Sequence, residues 1–247
     1  FEYIMKNSDY PIIPIYLGGA WGSILSYYHG KLLSRFPSLL PYRITVIFGE
    51  PMPATSRSRE VRRTVMELSA RWFELEKPRR EPLGVMFVRA ARKNWFRGAM
   101  SDTTGKSLTY GRTLLASLVL SRRLKSLAPG KDPIGILLPA SLGAGLSNLA
   151  TLFLGRTPVN LNFTASESAI QSAVTQCGIR TVVTSRTFLK KYGRLGEPEG
   201  ALYLEDILPR ISTRDKVLAL LRALFLPAAM AAGTRGIGPD DTATIIF

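Results

Sequence analysis

Few residues of this chain belong to the types that transfer protons or attack carbonyl groups. His29 is the single histidine and Cys177 the single cysteine among 247 residues. A histidine base that works with an aspartate five positions later would need Asp at position 34, where Ser34 stands. Cys177 follows an apolar helical pattern, which is typical of a small buried thiol. The sequence therefore offers a poor general base and a poor nucleophile, and we predict no catalytic residue in this chain.

Patterns for metal and phosphate binding are incomplete. One histidine and one cysteine cannot supply the usual zinc ligand sets, so we predict no metal site. Gly143 and Gly145 follow a predicted strand, but Asn148 stands where a dinucleotide-binding loop needs a third small residue. The Gly105-Lys106-Ser107 triplet lacks the earlier glycine of a phosphate loop, because Met100 occupies that position. Close helix packing is the simpler interpretation of the first pattern, and a tight turn that of the second.

The net charge narrows the class of partner. Lys and Arg total 33 against 18 Asp and Glu, which leaves a net charge of +15. This charge attracts nucleic acid, an acidic carrier protein or an anionic lipid surface. The basic residues are scattered in pairs rather than gathered with aromatic residues on one element, so we predict no nucleic-acid partner. A lone cysteine excludes a disulfide framework and favours a reducing compartment.

The elements that would position a site form two segments. In residues 1–77, the stretches "YPIIPIYL" and "YRITVIFGEPM" predict two strands, and an apolar stripe predicts a helix at about 56–76. Prolines, a glycine and dense charge in "EKPRREPLG" predict a linker at 78–84. We therefore place one domain at 1–77 and a second at 85–247.

The second segment alternates apolar strands with helices. The stretches "IGILLPAS", "TPVNLNF" and "IRTVVTS" predict three strands, and "DDTATIIF", from Asp240 to Phe247, predicts a further one. Thr164 and Glu167 predict a capping box at the start of the helix before the third strand. Such alternation predicts an α/β fold with a parallel sheet that is covered on both faces.

Two stretches could touch a membrane surface. The stretch 85–100 predicts a basic amphipathic helix, and 217–232 predicts either a helix on a membrane face or a helix in the core. An uninterrupted run of about 18 apolar residues, as a spanning helix needs, does not occur.

The first segment resembles the C-terminal part of the glycerolipid lysophospholipid acyltransferases. Pro11 to Pro14 matches the P-I-x-P block of that family, and Trp21-Gly22-Ser23 and "FGEPMP" match its subset fused to acyl-activating enzymes. The catalytic H-x4-D and F-P-E-G-like motifs of the family would precede Phe1. The resemblance therefore implies part of an α/β acyltransferase domain, with Pro11, Pro14 and Trp21 as supporting motif positions.

From about residue 85 the chain resembles the start of the adenylate-forming superfamily. "GKSLTYGRTLLASLVLSRRL" is similar to its opening strand and helix, and the later strands and helices follow the same order. "DDTATIIF" resembles the strand before the phosphate loop of that superfamily. The resemblance implies that this loop would begin just after Phe247, and that no residue of the chain binds the cofactor.

The two resemblances follow one another in the chain, first to an acyltransferase and then to a synthetase. This order is similar to that of the bifunctional 2-acylglycerophosphoethanolamine acyltransferase/acyl-carrier-protein synthetases. The resemblance implies a parent enzyme that uses ATP and Mg²⁺ to activate a fatty acid, passes it to acyl carrier protein or coenzyme A, and acylates a lysophospholipid. It implies an anionic membrane surface, at the cytoplasmic face of the bacterial inner membrane. We expect the 247 residues alone to be inactive. A non-catalytic, basic adaptor that binds membrane or lipid is the alternative.

Overall fold

A computed structural model describes residues 2–5, 9–21, 43–192, 196–234 and 236–247 of the chain. They fall into two compact units, Phe1–Arg80 and Glu81–Phe247. The division lies inside the stretch 78–84 that the sequence marks as a linker. The assignment of each unit to a domain of known type stays a prediction.

The first unit pairs two short strands with one long helix. Strands β1 (Ile15–Gly18) and β2 (Thr45–Phe48) are antiparallel, and helix α2 (Ser58–Glu76) packs on them after a short helix α1 (Glu2–Met5). Trp72 of α2 contacts the sheet, with its ring centroid 5.9 Å from that of Tyr16. Both predicted strands and the predicted helix are therefore present. The strands are shorter than predicted, since prolines before β1 and after β2 cannot donate ladder hydrogen bonds.

The second unit contains eight helices and seven strands among its described residues. In chain order they are α3 (Leu83–Lys93), β3 (Gly98–Ser101), β4 (Ser107–Thr109), α4 (Tyr110–Leu127), β5 (Ile134–Ile136), α5 (Leu142–Leu152), β6 (Pro158–Asn160), α6 (Glu167–Gln176), β7 (Thr181–Thr184), α7 (Arg186–Lys191), β8 (Ala201–Tyr203), α8 (Leu204–Ile207), α9 (Thr213–Phe225), α10 (Ala228–Ala231) and β9 (Ile245–Ile246).

Five of these strands form one parallel sheet in the order β8-β7-β5-β6-β9. The four strands predicted for this region are all in it, so the expected α/β fold with a parallel sheet is confirmed. Strand β8 was not predicted, because its three residues carry no alternating pattern. The helix predicted at 85–100 is wrong in its second half, since α3 ends at Lys93 and Gly98–Ser101 pairs with β4.

Both faces of the sheet are covered by helices. Ile134 and Ile136 of β5 face a core cluster shared with α4 and α5, whereas Leu137 faces a second cluster shared with α6 and α7. This alternation follows from the two-residue period of a strand. Between them, Gly135 lies where a Cβ atom would be 3.2 Å from Val182 Cγ2, so a side chain there would crowd the second cluster.

A third cluster joins the helices outside the sheet, and it includes Val88, Leu114, Leu118, Phe153 and Ala223. Helix α9 contributes Ala219 and Ala223 to this cluster and leaves Leu221 and Phe225 exposed. The stretch 217–232 thus has one face in the core and one in solvent, and Pro227 separates α9 from α10. Among the described helices, none is both long and apolar enough to cross a membrane.

Helix α6 begins differently from the prediction. Its cap is Ser166, whose hydroxyl accepts from the N–H of Ala169 at 3.2 Å. The predicted cap, Thr164, instead donates its N–H and hydroxyl to Asn162 Oδ1 at 2.9 and 2.7 Å. The predicted capping box at Thr164 and Glu167 is therefore wrong, because the cap is the hydroxyl residue two positions later.

A comparison of substitutions at two glycines distinguishes the cost of backbone strain from the cost of steric contact. Gly200 and Gly178 have φ angles of +71° and +61°, but only at Gly200 would a Cβ atom meet the main chain, 2.1 Å from the carbonyl oxygen of Arg180. We expect Gly178→Ala to lower the free energy of unfolding by about 1 kcal/mol through strain alone. Gly200→Ala should cost a further ~1–3 kcal/mol, because the backbone must move. Urea denaturation of both variants measures the difference, and equal losses would contradict the contact.

Candidate functional site at the carboxyl edge of the sheet

The carboxyl edge of the five-stranded sheet is where the topology makes room for a ligand. The chain leaves β5 toward α5 on one face, and it leaves β7 toward α7 on the other face. Where neighbouring parallel strands diverge in this way, a crevice opens beyond their carboxyl ends. β5 and β7 are hydrogen-bonded neighbours. The candidate site therefore lies between the segments that follow Ile136 and Thr184.

The segment after β5 leads into the start of α5. Ser141 caps this helix, since its hydroxyl accepts from the N–H of Ala144 at 3.3 Å and donates to the carbonyl of Pro139 at 3.0 Å. Asp102 places Oδ2 3.5 Å from the N–H of Leu142. The hydroxyl of Thr104 is the main cause that lowers the pKa of Asp102, while burial opposes it. The positive end of α5 thus already faces a carboxylate of the same chain.

The Gly105-Lys106-Ser107 triplet is part of a turn between β3 and β4. The N–H of Asp102 donates to the carbonyl of Lys106, and the N–H of Gly105 donates to that of Asp102, both at 3.1 Å. Gly105 has a φ angle of +79°, which favours glycine. The tight-turn interpretation is confirmed, and this triplet does not form a phosphate loop.

The glycines of α5 serve close packing. A Cβ atom on Gly143 would lie 3.0 Å from Leu204 Cδ1, and one on Gly145 would lie 3.0 Å from Met100 Cε. Neighbouring elements approach the first turns of α5 at these two positions. The packing interpretation of this pattern is therefore confirmed.

Two asparagines tie α5 to the edge of the sheet. Asn148 and Asn160 exchange amide hydrogen bonds of 2.9 and 3.0 Å, and Asn160 Nδ2 lies 3.3 Å from Thr244 Oγ1. The N–H of Phe247 donates to the carbonyl of Asn160 at 3.2 Å. This network holds β9 beside β6. Asn148, which breaks the dinucleotide pattern in the sequence, therefore has a structural partner, and no periodicity of the sequence indicated that pairing.

Glu205 organises the end of β7. It accepts from the Ser185 hydroxyl at 2.6 Å and from the N–H groups of Arg186 and Thr187, both at 3.2 Å. Burial raises the pKa of Glu205, but these donors outweigh burial and lower the pKa to about 2. Glu205 is therefore ionised at neutral pH with its oxygens engaged, which suits a structural anchor better than a general base.

The other charged groups near β8 are paired with one another. Arg186 donates to Asp206 at 2.5 Å and lies over the ring of Tyr203, 4.0 Å from its centroid. The Tyr203 hydroxyl donates to Glu197 at 2.5 Å. Burial, followed by this carboxylate, raises the pKa of Tyr203 to about 12. These contacts order the β7–β8 end of the sheet.

The predicted acyltransferase positions lie in the first unit. Pro14 is buried and its carbonyl accepts from the N–H of Gly49 at 2.8 Å, whereas Pro11 and Trp21 are exposed. Gly22 and Ser23 of the same motif lie outside the described residues, as does His29. The role of Pro11, Pro14 and Trp21 as motif positions stays a prediction.

The remaining candidates for reactive groups are the thiol of Cys177 and clusters of possible metal ligands. Cys177 follows α6 and packs against the cluster shared with α7. It is half-buried, and thus less buried than predicted. Across the described ranges, no three His, Cys, Asp or Glu side chains come together as a metal site would require.

Comparisons with known proteins cover most of the second unit. The model of the family described as "AMP-binding enzyme" matches residues 87–247. The N-terminal subdomain of NpsA from Klebsiella oxytoca, solved with 3-hydroxybenzoyl-AMSN, is 16% identical with a TM-score of 0.48, and the match covers 55% of this chain and 33% of that one.

Two ligases match over a similar region. A benzoate CoA ligase from Burkholderia xenovorans LB400 is 17% identical, with a TM-score of 0.47 and coverage of 54% and 29%. The o-succinylbenzoate coenzyme A synthetase of Bacillus subtilis, solved with AMP, is 20% identical, with a TM-score of 0.44 and coverage of 53% and 33%. The chain thus spans about a third of the length of the structures it matches.

The paired asparagines give a prediction for stability. Asn160→Ala removes the donor to the partly buried Asn148 Oδ1, whereas Asn148 Nδ2 keeps the carbonyl of Ala144 at 3.0 Å. We therefore expect the free energy of unfolding to fall by about 1–2 kcal/mol. The double variant Asn148→Ala/Asn160→Ala should lose less than the sum of the two single losses. Asn162→Ala, at an exposed turn, is the matched control and should cost under about 1 kcal/mol. Additive losses in urea denaturation would contradict the pairing.

Glu205 gives a prediction for pH dependence. Its folded pKa of about 2 lies below the ordinary value of 4.5. The stabilisation by ionised Glu205 is therefore complete above its pKa in the unfolded chain. It is lost as the pH falls through its pKa in the folded chain. Between pH 5 and 2, protonation of Glu205 should lower the unfolding free energy of the parent chain by up to roughly 2–3 kcal/mol. Glu205→Gln should not show this part of the loss. Urea denaturation at several pH values gives the dependence of the unfolding free energy on pH. Glu199→Gln, at an exposed turn, is the control and should show the same pH dependence as the parent chain. The same pH dependence in Glu205→Gln would contradict the role of Glu205.

Proposed function

Because the chain belongs to the AMP-binding enzyme family, we propose that its second unit is part of an enzyme that activates a fatty acid with ATP. The match over residues 87–247 carries this proposal. In the proposed reaction, a carboxylate oxygen attacks the α-phosphorus of ATP, an acyl-adenylate forms and pyrophosphate leaves. A thiol then attacks the acyl carbon, a thioester forms and AMP leaves. Coenzyme A or acyl carrier protein is the proposed thiol.

The position of β9 in the sheet supports this proposal, because it indicates where ATP phosphates would bind. β9 is the outermost strand beside β6 and is fixed there by Asn160 and Thr244. Because β9 is parallel to β6, its last residues lie at the carboxyl edge. We assign the phosphate loop to the backbone that continues from β9, where successive N–H groups could surround phosphate oxygens. The start of α5 is a poorer choice, because Asp102 already faces it.

The described residues have a supporting role in this chemistry. Asn148 and Asn160 would hold the strand before the loop in register, and Glu205 would keep the β7 end ordered. Mg²⁺ would balance the phosphate charge when bound, but the carboxylates described at this edge are engaged by donors of their own chain. We therefore assign no ligand of Mg²⁺ to the described residues.

We further propose that the first unit belongs to a lysophospholipid acyltransferase, which would make the whole protein a bifunctional enzyme of phospholipid remodelling. The support is the sequence resemblance around Pro11–Pro14 and "FGEPMP". An anionic membrane surface, at the cytoplasmic face of the bacterial inner membrane, is the proposed location. The net charge of +15 and the exposed apolar face of α9 suit such a surface.

Pyrophosphate exchange tests the activation step. We expect the full-length protein to catalyse exchange between ATP and pyrophosphate when a long-chain fatty acid is present, and the 247-residue chain alone to show none. Exchange that requires benzoate instead of a fatty acid would overturn the substrate and keep the reaction. Absence of exchange with every carboxylic acid would overturn the activation proposal, and exchange by the 247 residues would overturn their expected inactivity.

Vesicle flotation separates the membrane-bound enzyme from the alternatives. We expect the 247-residue chain to float with anionic vesicles at low salt. Leu221→Asp/Phe225→Asp should abolish flotation, because both side chains are exposed on α9, whereas Leu208→Asp, outside that helix, should not. Equal flotation of all three proteins would overturn a role for the α9 face. Flotation with no exchange activity in the full-length protein would favour the non-catalytic adaptor.

A further inference from the structure

The second unit contains a cavity of about 490 Å³ at the edge of the sheet opposite the carboxyl edge. It lies between α4 and α9, and its floor is formed by the turns that precede β5 and β6. Because these turns lead into the strands, the cavity opens at the amino edge. It is separate from the carboxyl edge, where we place the activation chemistry. Its volume is in the range of sites for small ligands.

The lining of this cavity is strongly basic. Arg122, Lys125, Arg156 and Arg222 contribute four cations, and Asp215 contributes the one carboxylate of the described lining. Asp215 is already bound, since Arg122 Nε lies 3.0 Å and Arg123 Nη2 2.8 Å from its oxygens. The lining therefore keeps a positive charge that its own acid does not balance.

Two of these arginines are held by neutral acceptors. Arg156, 7% exposed, donates to the carbonyls of Asp132 and Ala128 at 2.5 and 2.8 Å. Arg222 donates to the carbonyls of Ala231 and Phe153 at 3.0 and 3.4 Å. Each guanidinium uses Nε and one Nη in this way, and the other Nη has no hydrogen-bond partner among the described residues. The planar fork of donors is thus fixed in place with donor capacity left over.

Burial makes these two cations costly. It lowers the pKa of Arg222, and it lowers the pKa of Arg156 with only partial opposition from the charge of Asp132. Arg156 is buried and Arg222 half-buried, and neither forms an ion pair with a described carboxylate. A cation removed from water in this way is normally stabilised by an anion. Around the two guanidinium groups, Leu118, Phe153 and Leu218 supply an apolar wall. The cavity therefore combines an anion-binding end with an apolar surface.

We propose that this cavity binds a phosphomonoester that carries an apolar chain, with the phosphate on Arg156 and Arg222 and the chain against Leu118, Phe153 and Leu218. A phosphomonoester has a charge near −2 at neutral pH, which matches the excess of cations. Guanidinium groups bind phosphate oxygens in pairs, which fixes the orientation of the ligand. The apolar wall distinguishes such a ligand from inorganic phosphate. This binding does not depend on acid activation by the protein.

Calorimetric titration of the 247-residue chain with octyl phosphate tests the proposal. We expect saturable binding of one ligand, weaker binding of inorganic phosphate and none of uncharged octanol. Lys125→Glu should weaken binding about tenfold, because it reverses a charge at the rim of the cavity. Lys216→Glu is the matched control: it lies on α9 outside the lining and should change affinity by less than about twofold. Arg222→Gln should weaken binding about thirtyfold, and its thermal midpoint shows whether it still folds.

The source of the phosphate follows from a second measurement. Flotation with phosphatidic acid vesicles that exceeds flotation with phosphatidylserine vesicles of matched surface charge identifies a lipid headgroup, if the excess is lost in Lys125→Glu and kept in Lys216→Glu. Octyl phosphate binding without such flotation identifies a soluble phosphomonoester. Absence of saturable binding of octyl phosphate, equal binding of inorganic phosphate, or equal weakening by both lysine variants would overturn the proposal.

Discussion

The need to bury both faces of β5 determines most of the second unit. Ile134 and Ile136 are at most 2% exposed, and a side chain on Gly135 between them would crowd Val182. A parallel strand of this kind is stable only when helices cover the sheet on both sides. Helices α4 and α5 cover one face, and α6 and α7 cover the other. Polar groups that act on a ligand must therefore come from the edges of the sheet, where loops and helix starts meet solvent.

The sequence predicted this architecture better than it predicted the site. Short stretches rich in apolar residues identified four of the five strands. The pattern was clearest for β5, which is buried on both faces and has no polar side chain. Strand β8, three residues long, gave no comparable signal. Asn148 and Asn160 lie 12 positions apart, and only the path of the chain through α5 brings their amides together. Glu205 likewise meets Ser185 across 20 positions, so no local pattern could reveal either pairing.

The arginines of the second unit have two different environments. Arg186 pairs with Asp206 on the surface, where solvent weakens the attraction and the pair contributes little to stability. Arg156, in the turn before β6, and Arg222, on α9, instead donate to main-chain carbonyls. A count of basic residues in the sequence gives the same weight to both kinds. Only the structure shows that part of the net charge of +15 faces a cavity, where an anion would meet less competition from water.

The position of β9 in the sheet has a consequence for the order of folding. Asn160 and Thr244 are 84 positions apart, yet their side chains meet at one edge. Closing so long a loop has an entropic cost that few contacts of a two-residue strand can offset early. During synthesis on the ribosome, β5 to β8 are made before β9 and do not need it in order to pair with one another. The β6 side of the sheet should thus be completed last, after β5 to β8 are already in register.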